Sequence, residues 1–177
     1  MFRDALALTR EQTGFAERLI IKDYFCTALL EYLAVPANKL VFKGGTCLAK
    51  VHAYFYRLSE DLDFVIPMPT DAPRAKRSKQ VAATKAAVAA LPKQIPFFRV
   101  VEPLTGANNS TQYNAVIGLA SLAGGRDETI KIEVALREPL LLDPVIGLAQ
   151  TILLDPVSRR PLMKPSEVGC IAKMEAF

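Results

Sequence analysis

Two aspartates, Asp61 and Asp63, are separated by a single apolar residue near the end of the stretch 43–66, KGGTCLAKVHAYFYRLSEDLDFVI. Side chains alternate along a β-strand, so a strand over 61–66 projects both carboxylates from the same face. Paired carboxylates bind hard divalent cations through oxygen, and Mg²⁺ prefers a few carboxylates together with substrate phosphates. The pair therefore predicts a metal site suited to phosphoryl or nucleotidyl transfer.

A glycine turn precedes the aspartates in the same stretch. Lys43, Gly44, Gly45 and Thr46 follow a short apolar strand and lead into a helix predicted over 46–56. Glycine permits backbone torsions closed to other residues and leaves no side chain between the backbone amides and a ligand. The start of a helix also attracts phosphate through free N–H groups and the helix dipole. This turn therefore predicts a triphosphate site beside the carboxylates.

A third carboxylate lies on a strand predicted over 129–136. Apolar residues occupy every second position there, at Ile130, Ile132, Val134 and Leu136. The opposite face carries Glu133. We expect Glu133 to join Asp61 and Asp63 if its strand pairs beside theirs.

The remaining elements must hold these three groups in place. The periodicity predicts a helix over 11–33 that starts at a capping box of Thr9 and Gln12, within a helical segment 1–36. It also predicts an alanine-rich helix from Pro73 to about 91, strands over 97–102 and 113–119, a turn at 124–127, a short strand or loop within 139–165, and a final helix from Ser166. The alanine-rich helix carries a basic cluster of Arg74, Lys76, Arg77, Lys79 and Lys85, which is either a solvated face or a surface that follows phosphates.

Composition excludes several classes of protein. The chain of 177 residues, 51% hydrophobic and with a net charge of +4, fits one globular domain over 1–177. Cys26, Cys47 and Cys170 are far apart in sequence and predict packed thiols, and one histidine, His52, leaves little for a zinc site. P-loop, GxGxxG and EF-hand patterns are absent. With neither a membrane-spanning run nor a signal peptide, we expect a cytoplasmic protein.

The glycine turn and the aspartate pair together resemble the signature of the DNA polymerase β-like nucleotidyltransferase superfamily. More closely, KGGT followed by RLSEDLDF is similar to the motif of the AbiEii/AbiGii and MenT nucleotidyltransferase toxins of type IV toxin–antitoxin systems. Eight residues carry this resemblance: Lys43, Gly44, Gly45, Thr46, Arg57, Ser59, Asp61 and Asp63. Two weaker matches are Glu133, within IKIEVAL, and Lys173, within a pattern formed with Ala172, Ala176 and Phe177.

The resemblance implies an α+β fold with a mixed, mostly antiparallel twisted sheet and flanking helices. It implies Mg²⁺, or Mn²⁺, on Asp61, Asp63 and Glu133, and a nucleoside triphosphate as substrate. The triphosphate would be held by Gly44, Gly45 and Thr46, with Lys43 as a point charge. Arg57 and Ser59 would contact phosphate or cap the turn. Lys173 would contact the nucleotide, or serve only as a surface lysine.

The family's activity is transfer of a nucleoside monophosphate to a tRNA end or a protein hydroxyl, and its members pair with an antitoxin. Family members also continue into a helical C-terminal half, which we expect this chain to lack. The sequence leaves open an inactive module that binds nucleotide or protein, and a phosphohydrolase using the same carboxylates. In Glu133 the acidic position carries one methylene more than aspartate, so its role is either a metal ligand or a base for the acceptor hydroxyl.

Overall fold

A computed structural model describes residues 1–54, 57–119, 128–136 and 140–176. Within these ranges a seven-stranded sheet has the order β3-β4-β5-β2-β1-β7-β6. The strands are β1 Val41–Lys43, β2 Leu62–Val65, β3 Phe98–Ala107, β4 Gln112–Leu119, β5 Thr129–Ala135, β6 Val145–Ala149 and β7 Ser166–Cys170. The helices are α1 Phe2–Thr13, α2 Glu17–Leu33, α3 Gly44–Cys47, α4 Arg74–Gln80, α5 Ala82–Gln94 and α6 Lys173–Ala176. A π-helical turn, Leu48–His52, continues directly from α3.

Strand β2 lies in the middle of the sheet. It pairs antiparallel with β1 and parallel with β5, and β1 pairs parallel with β7. The pairs β3–β4, β4–β5 and β6–β7 are antiparallel. This topology confirms the expected α+β fold with a mixed, mostly antiparallel sheet.

The core forms where the alternating strands meet α2. Leu62 and Phe64 of β2 and Ile130, Ile132 and Val134 of β5 are all buried, as the period-2 pattern predicts. Against them pack Leu29, Leu30 and Leu33 of α2. Because one face of β2 and β5 is committed to this core, their polar residues must point to the other face.

The N-terminal segment departs from prediction. One helix over 11–33 was expected, whereas α1 and α2 are separated at Gly14, which adopts a left-handed φ of 74° and donates its N–H to the Arg10 carbonyl. The predicted capping box is also wrong. Thr9 lies inside α1, where its hydroxyl donates to the Ala5 carbonyl and accepts from the backbone N–H of Leu154.

The predicted basic helix is likewise two helices, α4 and α5, which meet at the buried Val81. Pro92 lies inside α5 rather than ending it. Among the basic residues, Arg77 is buried and its guanidinium donates to the carbonyls of Ala72 and Asn109. Arg77 therefore belongs to neither a solvated face nor a phosphate-binding surface.

The final helix predicted from Ser166 is a strand. Val168 and Cys170 of β7 are buried and alternate with more accessible neighbours, and Phe42 of β1 lies beside Cys170. Only α6, a single turn, is helical. The predicted turn 124–127 lies outside the described residues, as do 55–56 and Phe177. No helix in the described ranges is both long and apolar enough to cross a membrane.

Candidate active site

The site is a row of three charged residues across three adjacent strands. In the sheet register, Lys43 of β1 lies opposite Asp63 of β2, and Asp63 lies opposite Glu133 of β5. All three line one pocket. The structure thus brings together residues that are far apart in sequence, and it places Glu133 on the strand adjacent to the aspartates, as predicted.

Gly44 allows the turn to approach the Asp63 carboxylate closely. Its φ is 75°, in the left-handed region, and a Cβ at this position would lie 2.5 Å from Asp63 Oδ2. A side chain at Gly44 would therefore both strain the backbone and displace the carboxylate. At Gly45 the limit is space alone, because a Cβ there would overlap the Arg57 guanidinium.

Thr46 joins the turn to the aspartate pair. Its side chain is buried, and its hydroxyl donates a 2.5 Å hydrogen bond to the backbone carbonyl of Asp61. Thr46 thus acts on the backbone of the aspartate strand in this structure. That contact was not predicted, since the sequence suggested that Thr46 contacts the triphosphate.

Asp61 immediately precedes β2 and has an exposed side chain. Its Oδ1 accepts from the backbone N–H of Lys131 at 3.4 Å. Lys131 is a nearby cation that the sequence analysis did not assign to the site, and its ammonium lies 3.3 Å from Glu133 Oε2. The alternation along β5 could have identified Lys131, because Lys131 and Glu133 are two residues apart and share a face.

The three carboxylates repel one another. Partial burial raises the pKa of Asp63 above its ordinary value, and the charges of Glu133 and Asp61 raise it further, while Lys43 and Lys131 act in the opposite direction. Burial and like charge therefore outweigh the two cations. Such a concentration of negative charge favours binding of a cation.

The pocket over this row has a volume of about 370 Å³. Its lining includes Lys43, Gly44, Asp63 and Glu133, together with Ile171 and Glu175. Glu175 was not predicted as a site residue. Its carboxylate accepts from the backbone N–H groups of Leu141 and Leu142, at 2.9 and 3.2 Å, and so joins α6 to the segment before β6. A pocket of this size is in the range that holds small ligands.

Three of the predicted site residues lie at the periphery. Lys173, the first residue of α6, is exposed and is not among the residues that line the pocket. Ser59 is half-buried in the segment before β2, and Arg57 is exposed with its guanidinium beside Gly45. Lys173, Ser59 and Arg57 therefore remain predictions as nucleotide-binding residues.

The donor set fits a hard divalent cation. Asp61, Asp63 and Glu133 supply only carboxylate oxygens, the ligands that Mg²⁺ prefers. The raised pKa of Asp63 is the observation that favours this fit, because a cation between the carboxylates would relieve their repulsion. When bound there, such an ion would stabilise the negative charge of a reacting phosphate.

Comparison with known proteins agrees with this geometry. The sequence profile described as "Nucleotidyl transferase AbiEii toxin, Type IV TA system" matches residues 28–172, which include all three carboxylates and the glycine turn. The chain belongs to the AbiEii family. The family resemblance inferred from KGGT and RLSEDLDF is thereby confirmed. A search of the curated proteins gives no match to this AbiEii-family chain.

Two solved structures share the fold of the AbiEii-family chain. One is the crystal structure of a proposed nucleotidyltransferase from H. pylori, with a TM-score of 0.51 and 18% identity, covering 77% of this chain and 55% of that one. The other is JHP933 from Helicobacter pylori, with a TM-score of 0.50 and 19% identity, covering 75% and 50%. The chain spans about half the length of the solved structures that it matches.

Proposed function

We propose that this AbiEii-family chain carries the catalytic site of a Mg²⁺-dependent nucleotidyltransferase, the toxin of a type IV toxin–antitoxin system. It transfers a nucleoside monophosphate from a nucleoside triphosphate to a hydroxyl of a tRNA or a protein. The observation that carries the proposal is the register row Lys43–Asp63–Glu133, with Gly44 packed against Asp63. Family membership supplies the reaction class.

The proposed site has two parts, one that binds the phosphates and one that binds the divalent ion. Backbone N–H groups at Gly44 and Gly45, at the start of the helical run, bind the phosphates, and Lys43 adds a positive charge. Asp61 and Asp63 supply oxygen ligands for the divalent ion. Lys173 contacts the nucleotide from α6.

In the reaction, the acceptor hydroxyl oxygen bonds to the α-phosphorus, and the bond from that phosphorus to the leaving pyrophosphate breaks. Glu133 lies opposite Asp63 on the pocket wall. There it either completes the metal site or takes the proton of the attacking hydroxyl. The Lys131 ammonium lies 3.3 Å from Glu133 Oε2 and offsets part of the negative charge at this end of the row. A tRNA acceptor requires action in the cytoplasm, and an antitoxin is the expected protein partner.

The test is incorporation of labelled nucleotide. The purified chain is incubated with Mg²⁺ and each α-labelled nucleoside triphosphate in turn, with total tRNA in one series and cytoplasmic protein in another. We expect label in one acceptor class. Asp63→Asn should lower the rate about 100-fold or more, because it removes a negative charge that holds the divalent ion at the reacting phosphate.

The matched control is Asp71→Asn, the same change at an exposed turn position away from the pocket. It should leave incorporation unchanged. Equal incorporation by wild type and Asp63→Asn would overturn the proposal. Calorimetric binding of nucleotide with no labelled product would instead support an inactive binding module, and acceptor-independent release of phosphate would support a phosphohydrolase.

A further inference from the structure

Cys47, His52 and Cys170, the thiol–imidazole cluster, come together just behind the glycine turn. Cys47 ends α3, one residue after Thr46, and His52 ends the π-helical turn that follows. Cys170 ends β7, beside Phe42 of β1. The sequence predicted only packed thiols and little material for a zinc site. That expectation rested on separation along the chain, whereas β7 brings Cys170 to the other two.

The three side chains are close enough to share one ion. One potential ligand atom from each lies within 4.8 Å of the other two. His52 Nε2 is 4.0 Å from Cys170 Sγ and 3.0 Å from the carbonyl oxygen of Ile171. Two thiolates on one tetrahedral zinc are about 3.8 Å apart, given zinc–sulfur bonds of about 2.3 Å. Side-chain shifts of an ångström or less would therefore bring the three ligand atoms to the separations found around one zinc ion.

The local backbone favours this grouping. In an α-helix, residues five apart point about 140° away from each other around the axis. Between Cys47 and His52 the chain instead forms a π-helical turn, in which the Ala53 N–H donates to the Leu48 carbonyl at 2.8 Å. This wider turn directs Cys47 and His52 towards Cys170. Turns of this kind occur frequently at functional sites.

The two thiols also contact each other. The Cys47 thiol donates a hydrogen bond to the Cys170 sulfur. Both cysteines are fully buried, while His52 is half-buried. A hydrogen-bonded thiol pair with an adjacent imidazole is a set of soft ligands, unlike the all-oxygen row of the active site.

We propose that Cys47, His52 and Cys170 bind one zinc ion. Two sulfurs and one imidazole nitrogen fill three tetrahedral positions, and an oxygen ligand, either water or the Ile171 carbonyl, fills the fourth. Binding replaces the two thiol protons, which are released to solvent, and the proton of the His52 ring lies on the nitrogen that does not bind the ion. The ion joins α3 to β7 and thereby fixes the turn that holds Gly44 and Gly45. This role is structural and separate from the proposed transfer reaction.

The experiment uses Co²⁺ as a spectroscopic probe on the reduced, metal-free full chain. We expect one equivalent of Co²⁺ to produce a thiolate-to-cobalt charge-transfer band and intense visible bands of tetrahedral cobalt, all abolished by one equivalent of Zn²⁺. Cys47→Ser and Cys170→Ser should weaken Co²⁺ binding at least tenfold. The matched control is Cys26→Ser, a change at a third fully buried thiol outside the cluster, which should leave the bands unchanged.

Two further variants keep the test decisive. His52→Gln changes a half-buried side chain, so it carries the test if a cysteine variant does not fold, and it should also weaken Co²⁺ binding at least tenfold. Asp63→Asn should retain the full cobalt spectrum, so that failure of the transfer reaction and failure of this site are distinguishable. Absence of the charge-transfer band in the reduced wild type would overturn the proposal. So would equal loss of the band in Cys26→Ser.

Discussion

Two carboxylates of this protein have opposite surroundings. Asp23 on α2 is buried and fully paired: one oxygen accepts from the Lys50 ammonium, and the other from the Thr151 hydroxyl at 2.9 Å and the Ile152 N–H at 2.8 Å. Asp63 in the pocket faces Glu133 and Asp61, and its pKa is raised by burial and by their charges. One carboxylate joins elements together, and the other is held in an unfavourable environment.

The difference indicates where the fold is stabilised and where it is not. Lys50 is buried too, and its ammonium also donates to the Thr27 hydroxyl at 2.8 Å, so the Asp23–Lys50 pair satisfies both charges without water. At Asp63 the same fold gathers negative charge beside a pocket. Functional sites commonly reduce stability in this way, because a site arranged for a ligand is strained without it.

The largest effect on stability is expected at the buried pair. Asp23→Asn leaves the Lys50 ammonium buried without a counter-charge, and should lower the free energy of unfolding by about 3–5 kcal/mol. Urea denaturation at pH 7 measures it, with Asp71→Asn as the control. A loss below about 1 kcal/mol would show that the two regions do not differ as described. The double variant Asp23→Asn, Lys50→Met should recover much of the loss, because no charge then remains and the amide oxygen still accepts from Thr151 and Ile152.

Asp63→Asn should have the opposite sign and a smaller size, stabilising the fold by on the order of 1 kcal/mol at pH 8. The folded-state pKa of Asp63 is raised, so its ionised form is disfavoured in the folded protein, and the amide removes that cost. The gain should shrink as the pH falls and Asp63 becomes protonated. Unfolding midpoints compared at pH 8 and about pH 4 measure this, and a variant less stable than wild type at pH 8 would contradict it.

The smallest effect is expected at a surface cluster. Glu60 accepts from Arg18 and Lys22, whose hydrogen bonds lower its pKa to about 2. Because its folded pKa lies below its unfolded value, its contribution is present above about pH 5 and is lost as the pH falls towards 2. The side chain is 35% exposed, so Glu60→Gln should cost only about 0.5 kcal/mol at pH 7.

Thermal unfolding of wild type and Glu60→Gln across pH 3 to 7 checks this, with added salt reducing the difference at neutral pH. A difference that stays constant with pH would rule out the charge pairing as its source.

The contrast between the two carboxylates also explains what the sequence could predict. Asp61, Asp63 and the glycine turn lie in one short stretch, and the alternation of β5 identified Glu133. Most of the row of charged residues in the pocket was therefore predictable. Asp23, by contrast, finds Lys50 and Thr151 through long-range packing, and nothing in their local patterns indicates a pair. The periodicity of a sequence predicts a long-range contact only where it identifies two strands that can pair.

Local propensity also failed where tertiary pairing decided the structure. Ser166 looks like a helix start, but Val168 and Cys170 alternate into the core once β1 and β6 lie on either side. The same error hid the thiol–imidazole cluster, because a helix from Ser166 gives no reason to place Cys170 beside Cys47. At Gly14 the single-helix prediction missed a left-handed turn that glycine adopts readily.

The pocket row assembles from parts made at different times on the ribosome. Lys43 and Asp63 belong to neighbouring strands of one early stretch, whereas Glu133 reaches them only when β5 pairs with β2. Ile171 and Glu175, which complete the pocket wall, are synthesised later still. Chains grow at about 5–20 residues per second, so a nascent chain carries an incomplete set of carboxylates for several seconds. The row Lys43–Asp63–Glu133 therefore exists only after β5 has been synthesised and has paired with β2.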